Sequence, residues 1–289
     1  MKSKKTLLIT LLVIIISSLP LKGQSNDTEA AIYNIGFSAV FSTVGAIINK
    51  KPNEPLGKVI KKSLWQGALG GYITFESKRI LREAQQQEKW EYFWVAKLVN
   101  AAGTSIKENA SMNRDLWVKW HINIGFNRIE FNTIDKFSVS YKVMPVSLIY
   151  TADAFFRYDF NLQNSLRTGE FIFNTPLIND KENIDIEAST YPGYIVFENE
   201  FKNDIKLVSH EIIHQYQNND FTIFNTYYQK PLIKWSDKNK TINWLNRYIY
   251  PEFHYFILRP TYLIEENTAN SYYDNFFEHE AGYYSNTID

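Results

Sequence analysis

Two histidines, His210 and His214, stand four residues apart and enclose Glu211 in the order His-Glu-Ile-Ile-His. Residues four apart on an α-helix project from the same face, so both imidazoles can donate a nitrogen to one metal ion. Glu211 lies about 100° around such a helix from His210, where its carboxylate can reach a metal-bound water. Zinc lowers the pKa of that water to about 7, and a glutamate can then accept its proton. The spacing therefore predicts a catalytic zinc site with Glu211 as general base.

A catalytic zinc usually takes three protein ligands and keeps one position open. The chain contains no cysteine, so the third ligand must be His, Asp or Glu. Helical spacing puts Glu266, Ala269 and Asn270 on one face, and the small Ala269 would let that helix approach closely. Glu266 is therefore the favoured ligand, and Asn270 is placed to accept a hydrogen bond from the other ring nitrogen of a ligand His. The alternative is that Glu265 and Glu266 form a solvated pair in the first turn of a helix.

Three further polar residues are candidates for the metal site. His279 is a rival third ligand or a donor to the transition state. His254 and Tyr262 could stabilise an oxyanion at the edge of a cleft. The simpler interpretation of each is structural, as it is for His121, which follows a Trp-rich segment.

The two motifs, His-Glu-Ile-Ile-His and Glu-Asn-Thr-Ala-Asn, resemble those of the gluzincin branch of the zincin metallopeptidases, whose second motif is typically E-x-x-A-D or a near variant. The resemblance covers residues 193–280. It implies Zn²⁺ as cofactor, with three ligands and a base carried over by position: His210, His214 and Glu266, and Glu211. Asn270 stands where the family has an aspartate that orients a ligand His, and a neutral residue there would make that His less basic.

The sequence does not fit the metzincin pattern, and its resemblance to zincins also implies a sheet. The downstream glycine and third histidine of metzincins are missing, because Gln217 and Asp220 occupy their positions. Zincins place a strand before the active helix, and the edge of their sheet holds extended substrate. Residues 194–197 are in the right place to belong to that sheet.

The N-terminus predicts export. Lys2, Lys4 and Lys5 precede an apolar run over residues 7–16, the pattern of a secretory signal. The run is too short to span a bilayer, which takes about 20 apolar residues. We expect residues 1–24 to be a signal peptide, with an uncleaved N-terminal anchor as the alternative. The expected location is the periplasm, the cell envelope or the exterior.

Two uncharged, Gly-containing stretches follow, at residues 31–48 and 64–73. One interpretation is a hairpin over residues 31–75 that contacts a membrane surface, with lysines at its rim. The other is a pair of helices packed on the protein itself. The sequence leaves both open.

The pattern of the remaining chain predicts an α+β fold. Residues 76–121 are expected to be helical, within a helical region at 25–124. The resemblance implies a zincin-like metallohydrolase region at residues 125–289, which could fold as one unit with the helical region. Short β-prone runs indicate an antiparallel meander: 128–131, 137–143, 147–150, 155–160 and 170–173. Residues 193–197 are a further strand candidate. A surface loop is expected at 179–192, and C-terminal helices at 206–216, 238–250 and 261–277.

Charge limits the choice of partner. The 31 basic and 31 acidic residues give a formal net charge of zero, which offers no electrostatic reason to expect nucleic acid.

The expected function is an exported zinc metallopeptidase acting on a peptide or protein. Two alternatives remain: an envelope structural or interaction protein with a non-catalytic zinc site, and a metallohydrolase of a non-peptide bond.

Overall fold

The computed structural model describes residues 24, 26–178, 187–269 and 271–288. Most of the segment predicted as a signal, and Asn270, lie outside the described residues. The described chain begins with three long helices: α1 (Asp27–Asn49), α2 (Leu56–Gln87) and α3 (Glu91–Ser111). An antiparallel meander follows, in the order β1 (Lys119–Ile124), β2 (Asn127–Asn132) and β3 (Ser138–Val143).

A second, four-stranded sheet follows the meander. Its strands are β4 (Asp159–Phe160), β5 (Ile172–Thr175), β6 (Ala188–Tyr191) and β7 (Tyr194–Glu198), in the spatial order β4-β5-β7-β6. β5 and β7 are parallel, whereas β6 pairs antiparallel with β7 at the edge. Two helices lie between the sheets in sequence: α4 (Pro145–Arg157) and α5 (Leu162–Thr168).

The C-terminal part is helical and carries the metal-binding motif. Its helices are α6 (Ile205–Phe221), α7 (Gln229–Ser236), α8 (Lys240–Tyr248), α9 (Tyr255–Thr268) and α10 (Phe276–Ser285), with 3₁₀ turns at Thr222–Tyr228 and Tyr272–Asp274. The architecture confirms the α+β class, the N-terminal helices and an antiparallel meander. The second sheet is mixed.

Close contact between α1 and α2 depends on small residues. A Cβ atom on Gly71 would lie 2.3 Å from the carbonyl oxygen of Asn34, and one on Gly67 would lie 2.7 Å from that of Ser38. Any side chain at either glycine would force the helices apart. Helix α1 is long and apolar enough to cross a membrane, yet half of its most apolar window is buried in the protein. The small residues at 31–48 and 64–73 therefore pack these helices on each other.

The main core joins the N-terminal helices to the metal-binding helix. Phe75, Leu81 and Phe93 of the first helices pack in one buried cluster with Ile212 and Ile213 of α6. Burial of such side chains contributes roughly 1.5–3 kcal/mol each. The α6 helix is therefore held by the helical layer as well as by its own sheet.

Several boundaries differ from the sequence predictions. Residues 147–150 lie in α4, where Pro145 occupies the first turn and presets a helical φ, so the strand predicted there is wrong. Residues 119–121 belong to β1, because pairing with β2 overrides local helix propensity. Residues 179–186 of the loop predicted at 179–192 lie outside the described residues, and residues 188–191 form β6. The helix predicted over 261–277 is two helices, because Asn275 caps α10 by accepting a hydrogen bond from the backbone N–H of Phe277.

Candidate metal centre

Helix α6 begins directly after the second sheet, at a well-formed cap. The carboxylate of Asp204 accepts hydrogen bonds from the backbone N–H groups of Lys206 at 2.8 Å and Leu207 at 3.3 Å. Capping of this kind stabilises a helix by about 1 kcal/mol. The buried Ile212 and Ile213 face the core. This arrangement fixes the rotation of α6 and turns His210 and His214 towards α10.

Three side-chain atoms meet at one point between α6 and α10. Nε2 of His210 lies 3.2 Å from Nε2 of His214, and Oε2 of Glu278 lies 3.3 Å from each of them. The candidate ligand atoms of His210, Glu211 and His214 also lie within 4.8 Å of one another. All four residues are buried except His214, whose side chain is 14% exposed. Solvent can therefore reach the cluster from the side of His214.

These separations fit a metal ion. Nitrogen and oxygen ligands bind zinc at about 2.0–2.2 Å, and two such ligands at tetrahedral angles lie about 3.3–3.6 Å apart. The three distances between His210, His214 and Glu278 are within about 0.2 Å of that range. Two imidazoles and one carboxylate are also the donor set of catalytic zinc sites that keep a fourth position open. The residues present therefore fit Zn²⁺.

Glu278 reaches the cluster because α10 packs closely on α6. Ala281, Gly282 and Ser285 follow it at helical spacings of three, four and seven, and all three are buried. The small side chains of Ala281 and Ser285 allow the two backbones to approach, whereas the space beside Gly282 is taken by Ile288 and Tyr273. The E-x-x-A spacing that singled out Glu266 thus recurs at Glu278 and Ala281.

The structure does not bring Glu266 to the imidazole pair. Its side chain is exposed on α9, a helix in which no residue is buried. Among the described residues, no hydrogen bond or ion pair joins it to His210 or His214. The geometry supports Glu278 as the third ligand in its place. Asn270, expected to orient a ligand His, lies outside the described residues.

The metal-free cluster holds a proton. Burial alone would lower the pKa of His214, but the adjacent Glu278 carboxylate outweighs it and raises the pKa to about 9. Burial likewise opposes the charge on Glu278, yet His214 and the hydrogen bonds from both imidazoles hold the pKa of this carboxyl well below its usual range. A charged His214–Glu278 pair therefore occupies the site without metal, and a metal ion must displace its proton.

The far side of each ring is also satisfied. Nδ1 of His214 lies 2.8 Å from Oε1 of Gln217, which accepts its hydrogen. Nδ1 of His210 lies 3.3 Å from the hydroxyls of both Ser285 and Thr287. The Gln217 contact keeps a hydrogen on Nδ1 of His214, so that its Nε2 can bind a metal, whereas the two hydroxyls, which can donate or accept, hold the His210 ring in position. Sequence reasoning missed these partners, since it looked for a single orienting residue at Asn270.

Gln217 connects the site to a buried charge network. Its amide nitrogen donates to Oε2 of Glu280 at 3.0 Å and to the carbonyl oxygen of Phe277 at 2.8 Å. Nζ of Lys78 lies 2.9 Å from both Glu280 and Asp220, and Lys107 pairs with Asp220 from the next helix. Two cations and two anions thus balance in the interior, as buried charges require. The network links α2 and α3 to both ligand-bearing helices.

Glu211 is held against the edge of the second sheet. The hydroxyl of Thr190 on β6 donates to Oε2 of Glu211 at 2.7 Å and lies 2.9 Å from the carbonyl oxygen of the same residue. On the next turn, the Gln215 amide donates to the carbonyl oxygens of Tyr191 and Tyr194 at 2.8 and 3.1 Å. The predicted strand at 194–197 is thus an inner strand, and β6 is the strand next to Glu211.

Of the three remaining candidates, Tyr262 lies at the site, whereas His254 and His279 lie away from it. The Tyr262 hydroxyl donates to Oε1 of Glu278 at 3.1 Å, and burial together with that carboxylate raises its pKa. Tyr272, which sequence reasoning missed, is hydrogen-bonded to the same carboxylate. His254 is buried between Asn218 and Asn225, away from the cluster. The ring nitrogens of His279 lie beside backbone carbonyls, at 3.0 and 3.2 Å.

Comparison with known proteins adds no assignment: no protein family, curated protein or solved structure matches the chain.

Proposed function

We propose that this protein is an exported zinc-dependent peptidase with His210, His214 and Glu278 as ligands and Glu211 as general base. The observation that carries the proposal is the meeting of the three donor atoms at 3.2–3.3 Å from one another. Glu211 supports catalysis over a purely structural site, because it lies within the cluster without being needed as a third ligand.

The bound zinc would supply Lewis acidity, lowering the pKa of a water to about 7 and polarising the substrate carbonyl. The carboxylate of Glu211 accepts the proton of the attacking water and passes it to the amine that leaves. Thr190 holds this carboxylate by the 2.7 Å hydrogen bond, so its orientation is set before substrate arrives. The Tyr262 hydroxyl fixes the free oxygen of Glu278, which keeps the other oxygen directed at the two imidazoles.

The edge strand suggests how a peptide is held. The backbone N–H of Glu198 donates to the carbonyl of Glu187, so alternate residues of β6 bond inward to β7. The backbone groups of Ala188 and Thr190 then point away from β7, towards the outer edge. No described strand covers that edge. An extended peptide pairing there would lie next to Glu211, in the manner of strand addition.

The test measures bound zinc and peptide cleavage in the purified full chain. We expect about one zinc per chain, and cleavage of a mixed peptide library followed by mass spectrometry. Glu211→Gln should keep its zinc and lose roughly 10²–10⁴-fold in rate. Glu266→Gln, an exposed glutamate on α9, should change neither. The proposal fails if zinc is stoichiometric and no peptide is cut, an outcome that would favour a structural role. It also fails if Glu211→Gln cleaves as fast as the parent.

A further inference from the structure

The helices α7 and α8 concentrate positive charge. Residues 229–248, here called the α7–α8 hairpin, contain five Lys or Arg residues and one Asp. The hairpin therefore carries a formal charge of +4, and the rest of this neutral chain carries −4. The net charge of zero therefore conceals a local concentration of positive charge.

The same hairpin exposes large apolar side chains. On α8, Trp244, Leu245 and Tyr248 share one face and are 59%, 43% and 43% exposed. Trp235 on α7 is 58% exposed. No side chain of α8 is buried, and Ser236 is the buried residue of α7. The apolar face of α8 and the Trp235 side chain of α7 are therefore left in water, a pattern typical of a surface that binds a partner.

Most cations of the hairpin have no acidic partner in the described part of the chain. Four of them are exposed and form no ion pair within the described part of the chain: Lys234, Lys238, Lys240 and Arg247. By contrast, the base of the hairpin is fixed. Lys230 donates to the carbonyl oxygen of Lys50 at 3.0 Å, and Lys142 donates to that of Asn246 at 2.8 Å. The protein thus anchors the hairpin while leaving its charges and its apolar faces free.

We propose that the α7–α8 hairpin docks on an anionic lipid bilayer surface. Tryptophan and tyrosine favour the interface between headgroups and acyl chains, while lysine and arginine bind anionic headgroups. The hairpin presents both aromatic and basic side chains on short amphipathic helices, and a bilayer surface can bind both kinds. A nucleic acid would neutralise the cations and leave the apolar faces exposed to water. The inference does not depend on the metal site.

Vesicle binding tests the docking surface in the purified full chain. We expect sedimentation with phosphatidylglycerol vesicles that falls with added salt and is much weaker with phosphatidylcholine vesicles. Lys238→Gln combined with Lys240→Gln should weaken binding by more than tenfold, since each surface cation contributes roughly fivefold. Lys58→Gln combined with Lys61→Gln removes two exposed lysines of α2 as a control. All variants share the same N-terminal apolar segment, so its contribution cancels.

Contact with the lipid can be read from the tryptophans. Brominated lipids should quench Trp235 and Trp244, and replacing both by Phe should remove that quenching while vesicle binding persists. Trp117→Phe, at a site that is 55% exposed outside the hairpin, should leave the quenching unchanged. The proposal is overturned if anionic vesicles are not bound, or if the α2 variants lose binding instead. Preference for a single-stranded oligonucleotide over vesicles would overturn it as well.

Discussion

Nδ1 of His214 lies 2.8 Å from Oε1 of Gln217, one turn further along α6. The other end of that amide donates to Glu280 and to the carbonyl oxygen of Phe277, so its oxygen and nitrogen cannot exchange places without losing three hydrogen bonds. The imidazole therefore presents Nε2 to the ligand cluster. A neutral amide here does the orienting work that the gluzincin pattern would give to a carboxylate.

Replacing Gln217 by Leu should lower zinc affinity by about 10–100-fold, because the His214 ring loses its fixed tautomer. Competition with a zinc-binding dye measures the change. Gln215→Leu is the matched control on the same helix: it loses the bonds to Tyr191 and Tyr194, so peptide KM should rise while zinc affinity stays constant. Equal zinc affinity in Gln217→Leu and the parent would contradict the orienting role.

Glu278→Ala should reduce zinc affinity by more than about a hundredfold, beyond the range expected of an outer contact. Glu266→Ala should leave it unchanged, because that side chain is exposed on α9. Metal content after dialysis against a weak chelator distinguishes the two. Retention of zinc in Glu278→Ala with loss in Glu266→Ala would reverse the ligand assignment.

Glu266 and Glu278 show which features of the metal site local sequence can predict. The spacing in His210-Glu211-Ile212-Ile213-His214 predicts a helix with both imidazoles on one face, and the structure has this helix. The E-x-x-A spacing occurs twice, at Glu266 and at Glu278, and local pattern cannot rank the two. Their ranking depends on which helix packs against α6, a tertiary property that appears in the sequence only as the small residues after Glu278.

A similar limit applies to the sheets. Periodicity identifies β2, β3 and β7, whose strands are long and rich in β-formers. It does not identify β6, because Ala188–Tyr191 is short and its strand character comes from pairing with β7. The turn between Tyr191 and Tyr194 pairs β6 antiparallel with β7, and β6 thus lies beside α6. Local propensity therefore missed the strand nearest to Glu211.

The metal-free protein should become less stable as pH rises from 6.5 to 9. The pKa of His214 is about 9 in the folded state and about 6.5 when unfolded, so the folded state holds a proton that the unfolded chain releases. Stability should fall by up to about 1.4 kcal/mol per pH unit in this window. Urea unfolding in EDTA measures it. Glu278→Gln should flatten the slope, and a rising stability in the parent would refute the pair.

Acid should destabilise the protein for a separate reason. Burial lowers the pKa of His254 to about 3, and burial together with Arg128 does the same for His121. The unfolded chain binds these protons near pH 6.5, so stability is lost as pH falls from 6.5 towards 3, at about 1.4 kcal/mol per pH unit for each residue. His254→Gln should reduce the dependence of stability on pH by the contribution of one histidine, about 1.4 kcal/mol per pH unit. A slope equal to the parent's would show that His254 is not buried in its neutral form.

Lys78→Met should destabilise the fold by about 3–5 kcal/mol, because it leaves Glu280 buried without its cation. Lys62→Met is the control: its pair with Asp115 is partly exposed, and its loss should cost less than about 1 kcal/mol. Thermal unfolding of both variants measures the difference. Similar losses in the two would mean that the buried network contributes no more than a surface pair.

Helix α10 carries Glu278 and Glu280 two residues apart, and they face different partners. One meets the imidazoles, and the other meets Gln217 and Lys78. A rotation of this helix by one residue, about 100°, would withdraw both carboxylates together. Helix α10 is thus fixed to the rest of the protein at two separate points. In the metal-free protein the charged His214–Glu278 pair still holds one of these points, so we expect α10 to become accessible to a protease only when the pH rises above the His214 pKa of about 9 and the pair loses its proton.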